Sequence, residues 1–245
     1  MRGANDIGII VQARMGSQRI PGKMLKPFAG TTLVDILLEK LKKSTIIPRN
    51  NIYVCVHEEE LKEVVRKHDL NIFHRSAQSA SSEGKDLTEL FEWHKELPFK
   101  YVIMVSACNP LLKIETIDSF FETFLNSDKD NLFGVFKKKN YYWDKNKQSI
   151  TDWKDLTSMN TKFVDPVYEA AHCLYASRMD FVSEGYWMTK DSPPDLDLYE
   201  MEELETFDID YEWQFAVAEK LYKEFQILNS QGVYIRAPSF FKEGE

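Results

Sequence analysis

The sequence predicts an α/β protein with a mostly parallel sheet, and three observations support this prediction. Short, apolar, β-branched runs recur along the chain, as at Ile7–Val11 and within Tyr101–Ser106, and such runs are typical of strands buried on both faces. Segments whose apolar residues recur at helical spacing separate these runs. The 245 residues, 43% of them hydrophobic, suit a single α/β domain with an excursion.

The predicted elements follow one another in strand–helix order. The first half of the chain is predicted to contain strand Ile7–Val11, helix Thr31–Lys43, strand Asn51–His57, helix Glu58–His68 and strand Asn71–His74. The second half is predicted to contain helix Asp86–Leu97, strand Tyr101–Ser106, helix Ile114–Leu125, strands Leu132–Lys137 and Val167–Ala176, and helix Tyr211–Phe225. This order implies right-handed crossovers and places ligands at the carboxyl ends of the strands.

Composition argues against several classes of protein. The net charge of −8 disfavours nucleic acid or an anionic membrane as a partner. No apolar stretch has the length of a bilayer span, and the N-terminus lacks a secretory pattern. The three cysteines are far apart, with no Cys-x-x-Cys, which indicates a reducing compartment. We therefore expect a cytoplasmic protein.

The loop after the first strand has the composition of a polyphosphate-binding site. Glycines allow the backbone to approach a ligand, and cations neutralise its charge. The loop contains Gly16, Ser17, Gly22 and the cations Arg14, Arg19, Lys23 and Lys26. It is not a P-loop, because five residues separate its glycines where a P-loop has four, and no Gly-x-Gly-x-x-Gly is present. The alternative is a solvated basic loop that joins a strand to a helix.

A pair of aspartates near the C-terminus is the second informative feature. If residues 205–209 form a strand, Asp208 and Asp210 project on the same side of it. Two carboxylates this close are costly unless a cation lies between them, and Mg²⁺ is a suitable cation because it prefers carboxylate and phosphate oxygens. The alternative is that Asp210 caps the helix that follows.

The sequence of the loop resembles that of a known protein family. The loop reads Gln12-Ala13-Arg14-Met15-Gly16-Ser17-Gln18-Arg19-Ile20-Pro21-Gly22-Lys23. It is similar to the cytidylyltransferases that activate acidic sugars: the CMP-sialic acid and CMP-Kdo synthetases and their spore-coat-polysaccharide homologues. The resemblance implies that the triphosphate of CTP binds to this loop, with Arg14 and Lys23 catalytic. The implied nucleotide-binding residues of the loop are Ala13, Arg14, Gly16, Ser17, Arg19 and Lys23. Met24 replaces the asparagine that is usual in sialate synthetases.

The Asp208-Ile209-Asp210 sequence, followed by a helix that opens with Glu and an aromatic residue, resembles the Mg²⁺ motif of the sialate enzymes. Taken together, the loop and this motif extend the resemblance over about residues 7–225. It implies a three-layer, Rossmann-like nucleotidyltransferase fold related to the GT-A sugar-nucleotide folds. It also implies that Asp208 and Asp210 bind Mg²⁺ and that Asp210 is catalytic.

The resemblance also implies roles for residues outside the loop and the Asp208-Ile209-Asp210 motif. It implies that Arg75 and Ser82 contact the nucleotide, and that Asn109, Tyr168, His172 and Phe207 contact the sugar. In the turn at 106–111, Cys108 stands where the Kdo enzymes carry a metal-binding Asp. Without the resemblance, the sequence around His172 predicts a half-buried histidine with a structural role.

The excursion at about 137–165 is polar but rich in aromatic residues. The resemblance implies that it builds a homodimer, and solvated lysine loops are the alternative.

The expected reaction is transfer of CMP from CTP to the anomeric hydroxyl of a 3-deoxy-2-ulosonic acid, with release of pyrophosphate. The acceptor would be a sialic-, legionaminic- or Kdo-like acid for cell-surface glycan biosynthesis. Three rival functions are a nucleotidyltransferase that uses another nucleotide or a sugar 1-phosphate, a GT-A glycosyltransferase, and an inactive nucleotide- or sugar-binding homologue.

Overall fold

The computed structural model describes residues 2–81, 86–153, 157–188 and 195–231. Within these residues, seven strands form one sheet: β1 Ile7–Gln12, β2 Ile52–Val56, β3 Asn71–His74, β4 Tyr101–Val105, β5 Asn131–Lys138, β6 Val167–Arg178 and β7 Leu196–Glu200. Their order across the sheet is β3-β2-β1-β4-β6-β5-β7. β6 runs antiparallel to both of its neighbours, and the other pairs are parallel. The predicted mostly parallel sheet is confirmed.

The described helices are α1 Leu33–Lys43, α2 Glu59–His68, α3 Ala77–Ala80, α4 Leu87–Leu90, α5 Ile114–Asn126, α6 Met179–Ser183 and α7 Glu212–Ser230. The hydroxyl of Thr32 accepts a hydrogen bond from the Asp35 N–H and caps α1, because a threonine side chain satisfies an otherwise unpaired first-turn donor. α2 ends at Asp69, whose φ of 53° is left-handed.

The sheet is covered on both faces, which gives the predicted three layers. Alternate residues of β1 point to opposite faces. Ile7, Ile9 and Val11 join the larger core, where α1, α2 and α5 pack. Ile10 joins the second core, together with the fully buried Trp93 and Trp187.

A third, smaller core ties the start of the chain to its end. Its buried members are Ile20, Phe28, Leu33, Ile36, Ile209, Phe215 and Ala218. The ring of Phe28 meets that of Phe215 edge-on, with centroids 5.2 Å apart. This cluster fixes the basic loop against residue 209 and α7.

The structure corrects two predicted elements and contains three, α3, α6 and β7, that were not predicted. Helix Asp86–Leu97 is wrong: α4 ends at Leu90, and a 3₁₀ turn, Glu92–Lys95, follows, because the chain bends at Phe91 to bury Phe91 and Trp93 together. Residues 205–209 are not a strand, since a 3₁₀ turn at Glu203–Thr206 precedes irregular backbone. β7 is an edge strand with exposed leucines.

The excursion between β5 and β6 exposes apolar side chains, and contacts within the excursion hold its backbone in place. The rings of Tyr141 and Trp153 stack at 4.5 Å, and the Tyr141 hydroxyl accepts a hydrogen bond from the Asn160 N–H. The exposed side chains of the excursion include Trp143, Ile150, Met159 and Phe163. Among the described helices, none has the length and apolar character that crossing a membrane requires.

Candidate active site

The loop that follows β1 is anchored at the carboxyl edge of the sheet. The Ala13 N–H donates to the Cys55 carbonyl of β2 (3.2 Å). The Met15 N–H donates to Glu58 Oε1 (2.8 Å). Gly22 has a φ of +65°, and its carbonyl accepts from the N–H groups of Leu25 and Lys26. The left-handed turn suits glycine, which has no Cβ to oppose it.

The loop leaves room for a ligand near Gly16. A Cβ at Gly16 would meet no atom within 4 Å. The Ser17 hydroxyl accepts a hydrogen bond from the Ile20 N–H (3.3 Å), and Arg14 Nη1 donates to the Ser81 carbonyl (2.5 Å). Arg14 therefore bridges the loop to the segment after α3.

The basic loop and the acidic pair meet directly. Arg19 Nη2 lies 2.6 Å from Asp210 Oδ1. Lys23 is 7% exposed; its ammonium donates to the Ile209 carbonyl and lies 3.9 Å from Asp210 Oδ1. Arg19 and Asp210, almost two hundred positions apart in the sequence, are thus in direct contact. The cations of the loop face the carboxylate of Asp210.

The aspartates are presented by irregular backbone. Between them, Ile209 is fully buried in the third core, and this fixes the backbone on both sides of it. The helix-capping alternative for Asp210 is not observed, because the N-cap residue of α7 is Tyr211; the side-chain oxygen of Gln214 accepts from the N–H groups of Asp210 and Tyr211. The Asp210 carboxylate is thereby left to face the basic loop.

Asp208 has the electrostatic character of a cation ligand. Burial raises the pKa of its carboxyl, Asp210 adds to this rise, and Lys23 opposes it. Its Oδ1 is buried without a hydrogen-bond partner. A buried carboxylate oxygen without a partner is costly unless a cation or a proton reaches it.

The donor set suits a metal that is shared with a substrate. Among the described residues, no three His, Cys, Asp or Glu side chains converge to enclose a metal by themselves. The unpaired oxygen of Asp208 and the carboxylate of Asp210 supply two hard ligands, and Mg²⁺ commonly takes one or two carboxylates together with substrate phosphates. The residues present therefore fit Mg²⁺ bound with a nucleotide.

The turn after β4 is joined to the acidic segment. The Ile209 N–H donates to the Cys108 carbonyl (3.1 Å). Asn109 is 4% exposed; its Nδ2 donates to the Thr206 carbonyl (3.1 Å), and its Oδ1 is buried without a partner. Burial raises the pKa of the Cys108 thiol, so the side chain at this point of the turn is neutral.

A cleft of about 290 Å³ opens beside the loop, lined by Gln12, Arg14, Arg75, Leu90, Phe91, Met104, Val105, Ser106 and His172. Arg75 is 3% exposed, and its guanidinium donates to the Ser79 hydroxyl (3.0 Å) and the Ala13 carbonyl (3.4 Å). Burial lowers the pKa of Arg75. Ser82 lies outside the described residues.

The positions predicted for the sugar lie in different surroundings. His172 is exposed, not half-buried; it sits at an irregularity of β6 with a φ of 54°, and its Nδ1 is hydrogen-bonded to the Tyr175 hydroxyl (2.8 Å). Tyr168 pairs with Lys137 and is 46% exposed, away from the cleft lining. Phe207 is half-buried against the third core.

Sequence reasoning missed two residues of the site. Gln12 lines the cleft, with its Oε1 held by the Trp93 indole N–H (3.0 Å) and its Nε2 donating to the Leu90 carbonyl (3.3 Å). Glu58 holds the loop through Met15. A polar residue at the carboxyl end of a buried strand was an available signal for Gln12, whereas none marked Glu58.

The fold and this site define a nucleotidyltransferase-like protein. The structure is similar to that of a CMP:2-keto-3-deoxy-manno-octonic acid synthetase in complex with CTP (TM-score 0.62, 12% identity, 93% of this chain and 99% of the other). It is also similar to a 4-diphosphocytidyl-2C-methyl-D-erythritol synthase from Anaerococcus prevotii (TM-score 0.64, 15% identity, 89% and 96%). At these identities the likeness is one of fold.

The chain belongs to the cytidylyltransferase family, whose model matches residues 8–234. It is 27% identical over 128 residues to a spore coat polysaccharide biosynthesis protein of Bacillus subtilis, a match that covers 51% of this chain and 52% of the relative. It is 25% identical to N-acylneuraminate cytidylyltransferase A of Danio rerio, over 58% of this chain and 33% of that protein. These matches span about half of the relatives' length or less. A flagellin modification protein of Campylobacter coli matches at 25% identity over 90% of this chain and 96% of its own length.

Proposed function

We propose that the chain transfers CMP from CTP to the anomeric hydroxyl of a 3-deoxy-2-ulosonic acid and releases pyrophosphate. One observation carries this proposal: Arg19 and Lys23 of the basic loop meet Asp210, and Arg14 of the same loop lines a cleft of about 290 Å³. A binding module for a neutral sugar would not require both charges in one place. We place the reaction in the cytoplasm, as a step toward cell-surface glycans.

In the proposed reaction the acceptor oxygen forms a bond to the α-phosphorus while the bond to pyrophosphate breaks. Arg14, Ser17, Arg19 and Lys23 hold the triphosphate and neutralise the charge that develops on the leaving pyrophosphate. Such a reaction needs little covalent help from the protein, so alignment and charge neutralisation provide most of the rate enhancement. Ala13 and Gly16 would let the loop backbone approach the nucleotide, and Arg75 would contact it from the lining of the cleft.

Asp208 and Asp210 are the residues that would hold Mg²⁺. When bound, Mg²⁺ supplies positive charge and polarises phosphate oxygens. The unpartnered Oδ1 of Asp208 supports this assignment. Arg19 would exchange Asp210 for a phosphate group when the nucleotide enters, and an ion pair this exposed, with Arg19 at 52%, costs little to break.

The proposed acceptor is a sialic-, legionaminic- or Kdo-like acid. The names of several relatives support this class, since one is an N-acylneuraminate cytidylyltransferase and others are 3-deoxy-manno-octulosonate cytidylyltransferases. His172 lines the cleft near the aspartates, and its bond to Tyr175 orients the ring. Asn109 has an unpaired carbonyl oxygen suited to a sugar hydroxyl. Tyr168 lies outside the cleft lining and Phe207 is partly packed in the third core, so both stay weaker predictions.

We further propose that the excursion joins two copies of the chain into a homodimer. Four large apolar side chains in this region are more than half exposed: Trp143 at 51%, Ile150 at 66%, Met159 at 63% and Phe163 at 61%. Apolar groups gathered in one exposed segment are typical of an interface between proteins.

The proposed activity is tested by following pyrophosphate release with each of the four nucleoside triphosphates and a panel of ulosonic acids. We expect release only with CTP, an acidic sugar and Mg²⁺. Release with a sugar 1-phosphate instead, or with another nucleotide, would support the first rival function, and binding of CTP without release would support an inactive homologue.

The role of Asp210 is tested by Asp210→Ala in the same assay. We expect turnover to fall on the order of 10²-fold or more, because the variant loses a carboxylate at the reacting phosphate. Glu224→Ala, which removes an exposed carboxylate from α7, is the matched control and should keep wild-type turnover. Turnover at the wild-type level in Asp210→Ala would refute the assignment.

A further inference from the structure

Lys40 lies in the last turn of α1 and binds the turn that follows β4. Its ammonium donates to the Pro110 carbonyl (2.5 Å) and the Leu112 carbonyl (2.7 Å). The ammonium also lies 5.9 Å from the centre of the Tyr222 ring of α7. One side chain thus connects α1, the turn and the C-terminal helix.

The turn held by Lys40 continues into the candidate active site. Its Cys108 carbonyl accepts from the Ile209 N–H, and Asn109 donates to the Thr206 carbonyl. On the far side of the turn, the nearly buried Glu205 accepts from the Lys113 N–H (3.0 Å) and pairs with the Lys113 ammonium (3.0 Å). The turn is therefore fixed between Lys40 and the segment that carries the two aspartates.

Burial makes the charged form of Lys40 unfavourable. Burial lowers the pKa of Lys40 to about 8, and the charged neighbours divide in their effect: Glu205 and Glu115 raise it, whereas Lys43 lowers it. No carboxylate among the described residues forms an ion pair with Lys40 within 4.0 Å. An apolar side chain of similar length would fill the same space without this desolvation penalty, so stability alone does not account for a lysine here.

We propose that Lys40 is a positioning residue for catalysis: by holding the 109–112 turn against α1, it fixes the backbone that presents Asp208 and Asp210 to the basic loop. Lys40 touches neither the loop nor the cleft lining. Lys40 therefore affects the position of the two aspartates and not the binding of the triphosphate by the loop.

The test compares Lys40→Met with Lys42→Met, a neighbouring lysine of α1 whose ion pair is with the exposed Glu39. The first readout, hydrogen exchange of the unliganded full chain, needs no turnover. In Lys40→Met we expect the Ile209 and Lys113 amides to exchange about tenfold faster or more, because the partners of both amides depend on the turn. The amides of Lys23 and Lys26 in the loop should be unchanged.

Thermal unfolding provides the second readout. We expect Lys40→Met to melt within a few degrees of wild type, because removal of a buried charge offsets the loss of the two bonds from the ammonium to the turn. A merely structural lysine would instead lower the melting temperature of the variant.

The third readout rests on the proposed function and uses the acceptor that the panel identifies. We expect kcat of Lys40→Met to fall about tenfold, with KM for CTP within about twofold of wild type. Wild-type kcat should decline above about pH 8 as Lys40 loses its proton and its charge-assisted bonds weaken, and this decline should be absent from Lys40→Met. Lys42→Met should behave as wild type throughout.

Unchanged exchange at Ile209 and Lys113 would overturn the proposal, as would unchanged kcat. A lower melting temperature with equal loss of protection in the loop would show a general structural role and would also overturn it. If the wild-type protein released no pyrophosphate with any pair of substrates, the proposed function would fail, and the exchange experiment would still decide the role of Lys40.

Discussion

At the scale of single residues, the site depends on polar groups that are held by partners far away in the chain. Glu58 is an example, because an acidic residue beside an anion-binding loop repels the ligand. Its Oε1 accepts the Met15 N–H, and its Oε2 is buried without a partner. The benefit of Glu58 is therefore conformational: it fixes the start of the loop.

Replacing Glu58 with alanine should weaken CTP binding. The Met15 N–H loses its acceptor, and we expect a cost of about 1–2 kcal/mol, roughly 5- to 30-fold in the dissociation constant, measured by calorimetry. Glu58→Gln keeps an oxygen acceptor and removes the charge, so it should bind CTP at least as well as wild type. If both variants bound CTP equally weakly, the charge and not the hydrogen bond would be the relevant property.

The sequence identified the residues whose type and spacing match the chemistry, and it missed those whose role depends on tertiary partners. Arg19, Lys23 and Asp210 were predicted from the motif, and they meet in the structure. Glu58 and Lys40 were not predicted, because a glutamate before a helix and a lysine at a helix end are ordinary until their partners are known. The bulge that exposes His172 likewise depends on the pairing of β6 with two strands.

At the scale of elements, the third core determines how the two halves of the site meet. It packs Phe28 of the loop region against Phe215 and Tyr222 of α7, with ring centroids at 5.2 and 5.7 Å. The aspartates precede α7 directly, so the position of this helix sets their position. Packing of three aromatic rings thus controls a polar site.

Phe28→Ala should therefore impair both stability and CTP binding. We expect a loss of about 3–5 kcal/mol in the free energy of unfolding, because the ring is fully buried, and weaker CTP binding at temperatures where the variant stays folded. Phe120→Ala, which opens an equally buried position in the larger core, is the control: it should lose similar stability and keep its CTP affinity. An equal change of affinity in both variants would argue against a specific role for the third core.

The periodic elements of the sequence were predictable, and the irregular ones were not. β3 has the predicted bounds, and the predicted β1, β2, β4, β5 and α5 are confirmed to within a residue or two, because continuous apolar runs and helical spacing are local signals. The break of the predicted helix at Phe91 is a tertiary effect, since burying two aromatic rings outweighs helix propensity. β7 was missed because its leucines face solvent at the sheet edge.

At the scale of the whole molecule, one segment is poorly matched to solvent. The excursion exposes four large apolar side chains within one short segment, and exposed apolar side chains elsewhere, such as Trp213 on α7, lie on regular elements. This contrast supports the proposed homodimer.

The dimer proposal predicts that Phe163→Asp shifts the protein toward monomers. A charge introduced at an apolar interface must be buried without a partner, which costs several kcal/mol, and sedimentation velocity over a range of concentrations measures the result. Ile227→Asp on α7, at a side chain that is 49% exposed outside the excursion, should leave the mass unchanged. A wild-type protein that is monomeric at every concentration would refute the proposal.

The third core also bears on how the protein is made. Its Phe28 leaves the ribosome early in synthesis, yet Ile209, Phe215 and Ala218 follow only after the whole sheet has been translated. A nascent chain that ends before residue 207 exposes that ring to solvent and carries the cations without their carboxylates. The site is therefore completed late in biosynthesis, and an unfinished chain is exposed to chaperones and proteases until α7 docks.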